Sequence, residues 1–244
     1  NALIAFACDG NIGSIADIKM LNNHGGNSKS VDRIELAQHV IDRYGKEKIQ
    51  SILGDREFFS VDFAIWLIEN DIPFVIRLRE NLDFVQPYLK RATKRGTFIR
   101  NVVVTELRGI KLTCDLSIKI IDNEYLILAS YKIKSPLSEY KKRWGIERFF
   151  KMLKTGGFNI EDTKITDPAR LKILFMLCSF ACLICTVIGH YRCYNVQKIR
   201  WKKKDRCYEY SFFRWGLDWL KELLLQGSDI IKHALPLILP SLQP

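Results

Sequence analysis

One carboxylate set among cations and a phenol is the part of this sequence that could do chemistry. Tyr140, Arg143, Glu147 and Lys154 are spaced +3, +4 and +7. On a helix advancing about 100° per residue they fall within roughly 60° of one another. Ile146, Phe149, Phe150 and Leu153 fall beside and behind them, as a packing face would. A helix anchored in this way could hold a metal ligand, Glu147, next to a phosphate. The plain alternative is a solvated helix, because Arg143/Glu147 and Glu147/Lys151 are ordinary i,i+4 pairs.

A second carboxylate comes from an element far upstream. Ile49–Gly54 reads as a strand, Val61–Asn70 as a helix capped by Ser60, and Phe74–Leu78 as a strand after Pro73. This strand–helix–strand unit leaves Asp55 at the carboxyl end of its first strand, where open α/β sheets collect ligand groups. A turn or helix-entry carboxylate is the alternative. Glu57 would share a face with Asp55 if the strand continued, and otherwise belongs in a salt bridge.

Around these two sites the elements read in order. Ala2–Cys8 and Ile12–Leu21 form a hairpin across Asp9-Gly10-Asn11. After a loop at Asn22–Gly26, a helix runs to Tyr44 with Ser28 or Ser30 as its cap and Val31, Ile34, Ala37, Ile41 and Tyr44 apolar. From Asn81 the character changes to an antiparallel meander of about three strands, Phe98–Leu107, Lys111–Ile121 and Glu124–Ser130. Ser135-Pro136 opens the helix that carries Tyr140 to Lys154, and Thr155-Gly156-Gly157 stops it. A long apolar helix runs from Asp167-Pro168 to about Ile188, followed by a basic stretch to Arg206, a loop or frayed helix end, and an amphipathic helix, Ser211–Leu225. The expected segments are 1–80 and 134–190 for an α/β core, 81–133 for an inserted β-subdomain, and 191–244 for a basic, amphipathic helical tail.

Composition narrows the partners. The 244 residues are 48% hydrophobic and 27% charged, so the chain is globular. A net charge of +11 favours a polyanion, nucleic acid or an anionic membrane surface. Cations cluster at Lys90, Arg91, Lys94 and Arg95, and again at Lys198, Arg200, Lys202, Lys203, Lys204 and Arg206. Cys182-x2-Cys185-x4-His190-x2-Cys193 has zinc-like spacing on paper. Its setting among Leu, Ile and Phe instead suits small apolar residues of a buried helix. Ile173–Ile188 holds 16 residues without a charge, short of a membrane span of about 20, and reads as a core helix.

Carboxylates that converge from separate elements in a basic chain suit two-metal phosphoryl transfer, with cations neutralising phosphate oxygens beside the ions. At these residues the sequence resembles a family. Tyr140-x2-Arg143-x3-Glu147-x6-Lys154 matches the Y-x2-R-x3-E-x6-K signature of the DDE transposases of bacterial insertion sequences. Asp55-Arg-Glu-Phe58 looks like that family's segment carrying the second catalytic aspartate. Phe74-Val-Ile-Arg77 and Gly26-Asn27-Ser28 with Arg33 are also similar, and the resemblance spans roughly residues 1–220.

The resemblance implies an α/β, RNase H-like mixed sheet with flanking helices, an inserted antiparallel β-subdomain and a helical carboxyl-terminal part. It implies cutting of transposon-end DNA and joining to target DNA, cut-and-paste, often through a hairpin. It makes Asp55 and Glu147 catalytic metal ligands for Mg²⁺ or Mn²⁺, two ions in the complete protein. It makes Tyr140, Arg143 and Lys154 contacts to DNA. Partners would be double-stranded inverted-repeat ends and target DNA, with a homodimer in the complex, no membrane, and a DNA-associated place in the bacterial cytoplasm. The family's first aspartate is expected on a strand before Ala2, with Asp9 a weak substitute. A chain without it would be an amino-terminally truncated transposase that does not cleave alone. A non-catalytic DNA-binding remnant is the next reading, and a membrane-associated protein the third.

Overall fold

A computed structural model describes residues 1–9, 12–21, 28–107, 110–154, 157–204 and 206–225. The turn at Gly10-Asn11, the Asn22–Asn27 part of the first loop, Thr155-Gly156 and the 226–244 tail lie outside the described residues. The chain forms two compact units. One holds Asn1–Ala5 with Ala16–Trp144, and the other holds Phe6–Ile15 with the chain from Gly145 onward.

The first unit is built on a five-stranded mixed sheet. β1 (Ala2–Asp9) and β2 (Ile12–Met20) pair as a separate two-stranded ribbon whose two ends belong to different units. The main sheet has the order β3 (Ile52–Gly54), β4 (Phe74–Arg77), β7 (Glu124–Tyr131), β6 (Ile110–Ile121) and β5 (Thr97–Leu107). β3 and β4 are parallel, with Gly54 opposite Ile76, and every other pairing is antiparallel. The meander is present with nearly the expected bounds. Its last strand pairs with β4, Phe74 opposite Tyr131, and so continues the α/β sheet rather than standing apart from it.

Both faces of this sheet are covered, which is why β4 and the middle of β7 are buried on successive residues. Phe74, Ile76, Ile127 and Ala129 face α1 (Ser30–Tyr44) and α2 (Val61–Glu69), and Val75 and Leu128 face the other way. At β6 Cys114, Leu116 and Ile118 are buried as the alternation expects, and Ser117 between the last two is buried as well. β5, at the sheet edge, shifts register between Ile99 and Val102. There Asn101 adopts φ 53°, and its N–H donates to the Asp115 carboxylate at 3.0 Å. A short α3 (Gln86–Leu89) precedes the meander and was not foreseen.

Helix α1 differs from expectation at its start and on its face. Lys29 occupies the cap position, its N–H donating to Asp32 at 3.0 Å, in place of Ser28 or Ser30. Arg33 and Leu36 are its buried residues, while Val31 and Tyr44 are exposed. Tyr44 lies there because its hydroxyl donates to the Ala16 carbonyl at 3.2 Å.

The second unit is helical. α5 (Trp144–Lys154) begins at the unit boundary, and α6 (Pro168–Asn195) is capped by Asp167, which accepts from Arg170 N–H at 2.8 Å. α6 runs about two turns past the expected end at Ile188, into the stretch expected as a loop or frayed helix end, and Gly189 and Cys193 pack inward there. α7 (Phe212–Leu225) lies against it. By length and composition alone α6 could cross a membrane. Ile15 N–H donates to Ser179 Oγ on α6 at 2.7 Å.

The cysteines of α6 are buried as small apolar residues. Burial pushes the Cys182 thiol up to about 12, as it does Cys114 on β6, where the Asp115 charge adds to the effect. Their folded-state values lie above the ordinary 9.0, so the stability they contribute is full below pH 9 and is lost as pH rises toward 12. At pH 10.5 each thiol is expected to cost roughly 2 kcal/mol of stability. Urea unfolding at pH 8 and pH 10.5 measures this, and Cys114→Ala together with Cys182→Ala should flatten the decline.

Candidate active site

Three of the residues singled out in the sequence come together in the first unit. Asp55 follows β3 directly, and a turn closed by Phe58 N–H onto the Asp55 carbonyl at 2.9 Å holds it there. Its Oδ1 accepts from Arg56 N–H at 2.8 Å and lies 3.4 Å from the Tyr140 hydroxyl. Its Oδ2 lies 3.9 Å from an Arg143 guanidinium nitrogen. The guanidinium in turn stands over the Tyr140 ring, 5.3 Å from its centre. The Asp55 side chain is 36% exposed, so the group opens to solvent.

The partners of Asp55 arrive on a helix seated on the sheet. α4 (Pro136–Lys141) starts with a proline in its first turn, whose missing N–H costs nothing there. Tyr140 is buried against Val75 and Leu128, with Leu137 and Ile133 beside them. Glu139 anchors the same helix by accepting from Ser51 Oγ at 2.8 Å. Burial pushes the Tyr140 phenol up, Arg143 and Arg77 oppose this, and Asp55 adds to it. The hydroxyl therefore stays protonated near neutral pH and serves as a donor.

The helix expected from Ser135 to Lys154 is not continuous. α4 ends at Lys141, two turn residues follow, and α5 starts at Trp144. Lys142 keeps helical angles (φ −60°, ψ −24°), but Lys142 and Arg143 donate to Glu139 and Tyr140, three residues back. This tightened turn separates Tyr140 and Arg143 from Glu147 and Lys154, so the four do not share one face of one helix. Glu147 and Lys154 still share a face of α5, both exposed, with Phe149 and Leu153 fully buried behind them as anticipated. Phe149 packs on Phe6 with ring centres 4.9 Å apart. Lys154 is ion-paired with Glu161 at 2.7 Å.

Two further carboxylates have these positions. β3 ends at Gly54 and residues 56–58 form a turn, so Glu57 does not continue a strand face beside Asp55. Asp9 is exposed at the end of β1. Among the described residues no three His, Cys, Asp or Glu side chains gather closely enough to hold a metal by themselves.

The family described as "Transposase DDE domain" matches residues 5–185. The chain belongs to that family. No curated protein matches it at a significant level. Within this DDE domain, the mixed sheet with flanking helices is RNase H-like, and Asp55 directly follows its strand β3.

One positioning residue of the transposase domain was not picked out by its chemistry. Arg33 is buried on α1 and donates through Nη1 to the Phe58 carbonyl at 3.0 Å and through Nε to Ser28 Oγ at 2.9 Å. It thereby ties α1 to the turn that displays Asp55. An arginine at a buried position of an otherwise amphipathic helix was the available signal. Arg33→Ala is expected to cost about 3 kcal/mol, since it removes charge-assisted bonds and leaves the Phe58 carbonyl unpaired. Urea unfolding measures this, and Arg33→Lys, lacking the planar fork, should recover only part.

Proposed function

We propose that this chain acts in DNA transposition as part of a transposase that cuts transposon-end DNA and joins it to target DNA by metal-dependent phosphoryl transfer. The observation that carries the reading is the Tyr140–Asp55–Arg143 cluster at the end of β3, in a chain whose residues 5–185 match a transposase DDE domain. The donor set fits the ion. Asp55 offers carboxylate oxygens, the nearest cation is 3.9 Å away, and the side chain is open to solvent. Mg²⁺ keeps several waters and takes one or two carboxylates plus substrate phosphates, so Asp55 on its own element suits it once DNA is present.

Asp55 and Glu147 would hold the divalent ions, Mg²⁺ or Mn²⁺, which when bound activate water or a 3′-hydroxyl and stabilise the leaving oxygen. Arg143 would leave its loose pairing with Asp55 and place its planar fork on phosphate oxygens. Tyr140, held protonated and fixed against Val75 and Leu128, would donate to a phosphate oxygen. Lys154 would exchange Glu161 for the DNA backbone at little cost, because both partners are exposed. The acting form would be a homodimer on double-stranded DNA.

The test is a nicking assay on transposon-end DNA with Mg²⁺ or Mn²⁺. It is run on residues 1–244 and, where the gene encodes residues before Asn1, on the longer product. Nicking abolished by Asp55→Asn and by Glu147→Gln supports the assignment. Nicking that survives either substitution overturns it.

A further inference from the structure

Six cations stand within Lys198–Arg206, and the cluster at the end of β3 uses none of them. The structure shapes them into a β-ribbon. β8 (Trp201–Lys202) pairs antiparallel with β9 (Cys207–Tyr208), Trp201 opposite Tyr208, and Glu209 N–H extends the ladder to the Arg200 carbonyl at 2.9 Å. Strand alternation puts Trp201 and Tyr208 on one side of the ribbon and Arg200 and Lys202 on the other.

The ribbon is anchored at its base and bare beyond it. Ile199 is buried with Cys193 and Phe212, and the Tyr208 ring sits 5.6 Å from that of Phe212. Trp201 meets Tyr208 edge-on at 5.0 Å and remains 51% exposed. Lys202, Lys203, Lys204 and Arg206 are all exposed, and none forms an ion pair among the described residues. An indole left half in water forgoes a large share of the burial that such a side chain usually gains. Cations alone would be a solvated surface. Cations around a half-exposed indole are the combination that binds single strands, with phosphates held by charge and a base stacked on the ring.

We propose that this ribbon binds unpaired nucleotides of DNA, with Trp201 stacking on a base and Lys203, Lys204 and Arg206 holding the flanking phosphates. The proposal takes from the preceding section only that DNA is the ligand class. It uses neither Asp55 nor Glu147.

The test is fluorescence anisotropy of the full chain with a labelled 20-nucleotide oligothymidylate and with a duplex of equal length. Trp201→Ala should weaken binding to the oligothymidylate about tenfold, and Trp201→Phe should restore most of it, because a π face returns. The dependence of log affinity on log salt should keep its slope in both. Lys203→Ala, Lys204→Ala and Arg206→Ala together should flatten that slope by about 2. Circular dichroism should match the unsubstituted chain in every variant. Unchanged binding in Trp201→Ala, or an unchanged salt slope in the triple variant, overturns the proposal. So does preference for the duplex with no effect of Trp201. Loss of the nicking assignment would leave these binding results standing, so the two failures are distinguishable.

Discussion

Asp55→Asn is expected to lower metal-dependent nicking on the order of 10³-fold while leaving stability within about 0.5 kcal/mol. The two effects separate because of how Asp55 is held. Its contact with Arg143 spans 3.9 Å and its side chain is 36% exposed, so the pair adds little to folding. Its better bond, the one accepted from Arg56 N–H at 2.8 Å, survives with an asparagine oxygen. What asparagine cannot supply is the negative charge that a divalent ion requires. The expected result is therefore an unchanged urea midpoint, a lost cleavage product, and DNA binding that is retained. A fall in stability matching the fall in activity would show that Asp55 is a structural turn residue.

Arg143 should behave differently in the same assay. Its side chain is 18% exposed and stacks on the buried Tyr140, so Arg143→Ala disturbs packing as well as charge. For that reason Asp55 is the cleaner probe of the chemistry.

The parts legible in the sequence are those governed by local pattern. The strand–helix–strand unit around Asp55 shows in Ser60 as a cap, Pro73 as a stop and two short apolar runs, and Ser60 Oγ does accept from Phe63 N–H. The alternation in β6 gave the buried Cys114, Leu116 and Ile118 directly. Pairing between distant strands was not legible, because β7 carries no residue that names β4 as its neighbour. The ribbon at Trp201 was read as a loop or frayed helix end for a related reason. Its strands are two residues each, and what fixes them is the seat of Ile199 and Tyr208 on α6 and α7.

The break at Lys142–Arg143 was hidden as well. Every residue from Leu137 to Lys154 except Gly145 tolerates a helix, so propensity gives no stop there. The turn answers to tertiary demands instead. Tyr140 is buried against Val75 and Leu128 in the first unit, and Phe149 packs on Phe6 in the second. The motif is legible as a string of residue types, and its division into two helices is set by packing.

A large loss of stability is expected in the second unit, at Gly216. A Cβ there would stand 1.9 Å from the Cys185 carbonyl oxygen and 2.6 Å from Gly189 N. A Cβ on Gly189 would stand 1.7 Å from the Phe212 carbonyl oxygen. Each partner is backbone, so no side chain can swing aside, and α6 and α7 must separate by about 1 Å or more to admit a methyl group. Alanine is favoured over glycine in a helix interior by about 1 kcal/mol, which works against the loss but does not cover it. Separation also loosens the seat of Arg192, whose guanidinium lies 4.2 Å from the Trp215 ring centre and donates to the Trp215 carbonyl at 3.3 Å. Gly216→Ala is expected to cost about 3 kcal/mol net, and Gly189→Ala a similar amount. Leu225→Ala on the same helix, at an 88% exposed position, should change stability by less than about 0.5 kcal/mol. Urea unfolding followed by tryptophan fluorescence checks all three, since Trp215 and Trp219 report on this helix pair. Equal midpoints for Gly216→Ala and Leu225→Ala would mean that the two helices do not meet at their glycines.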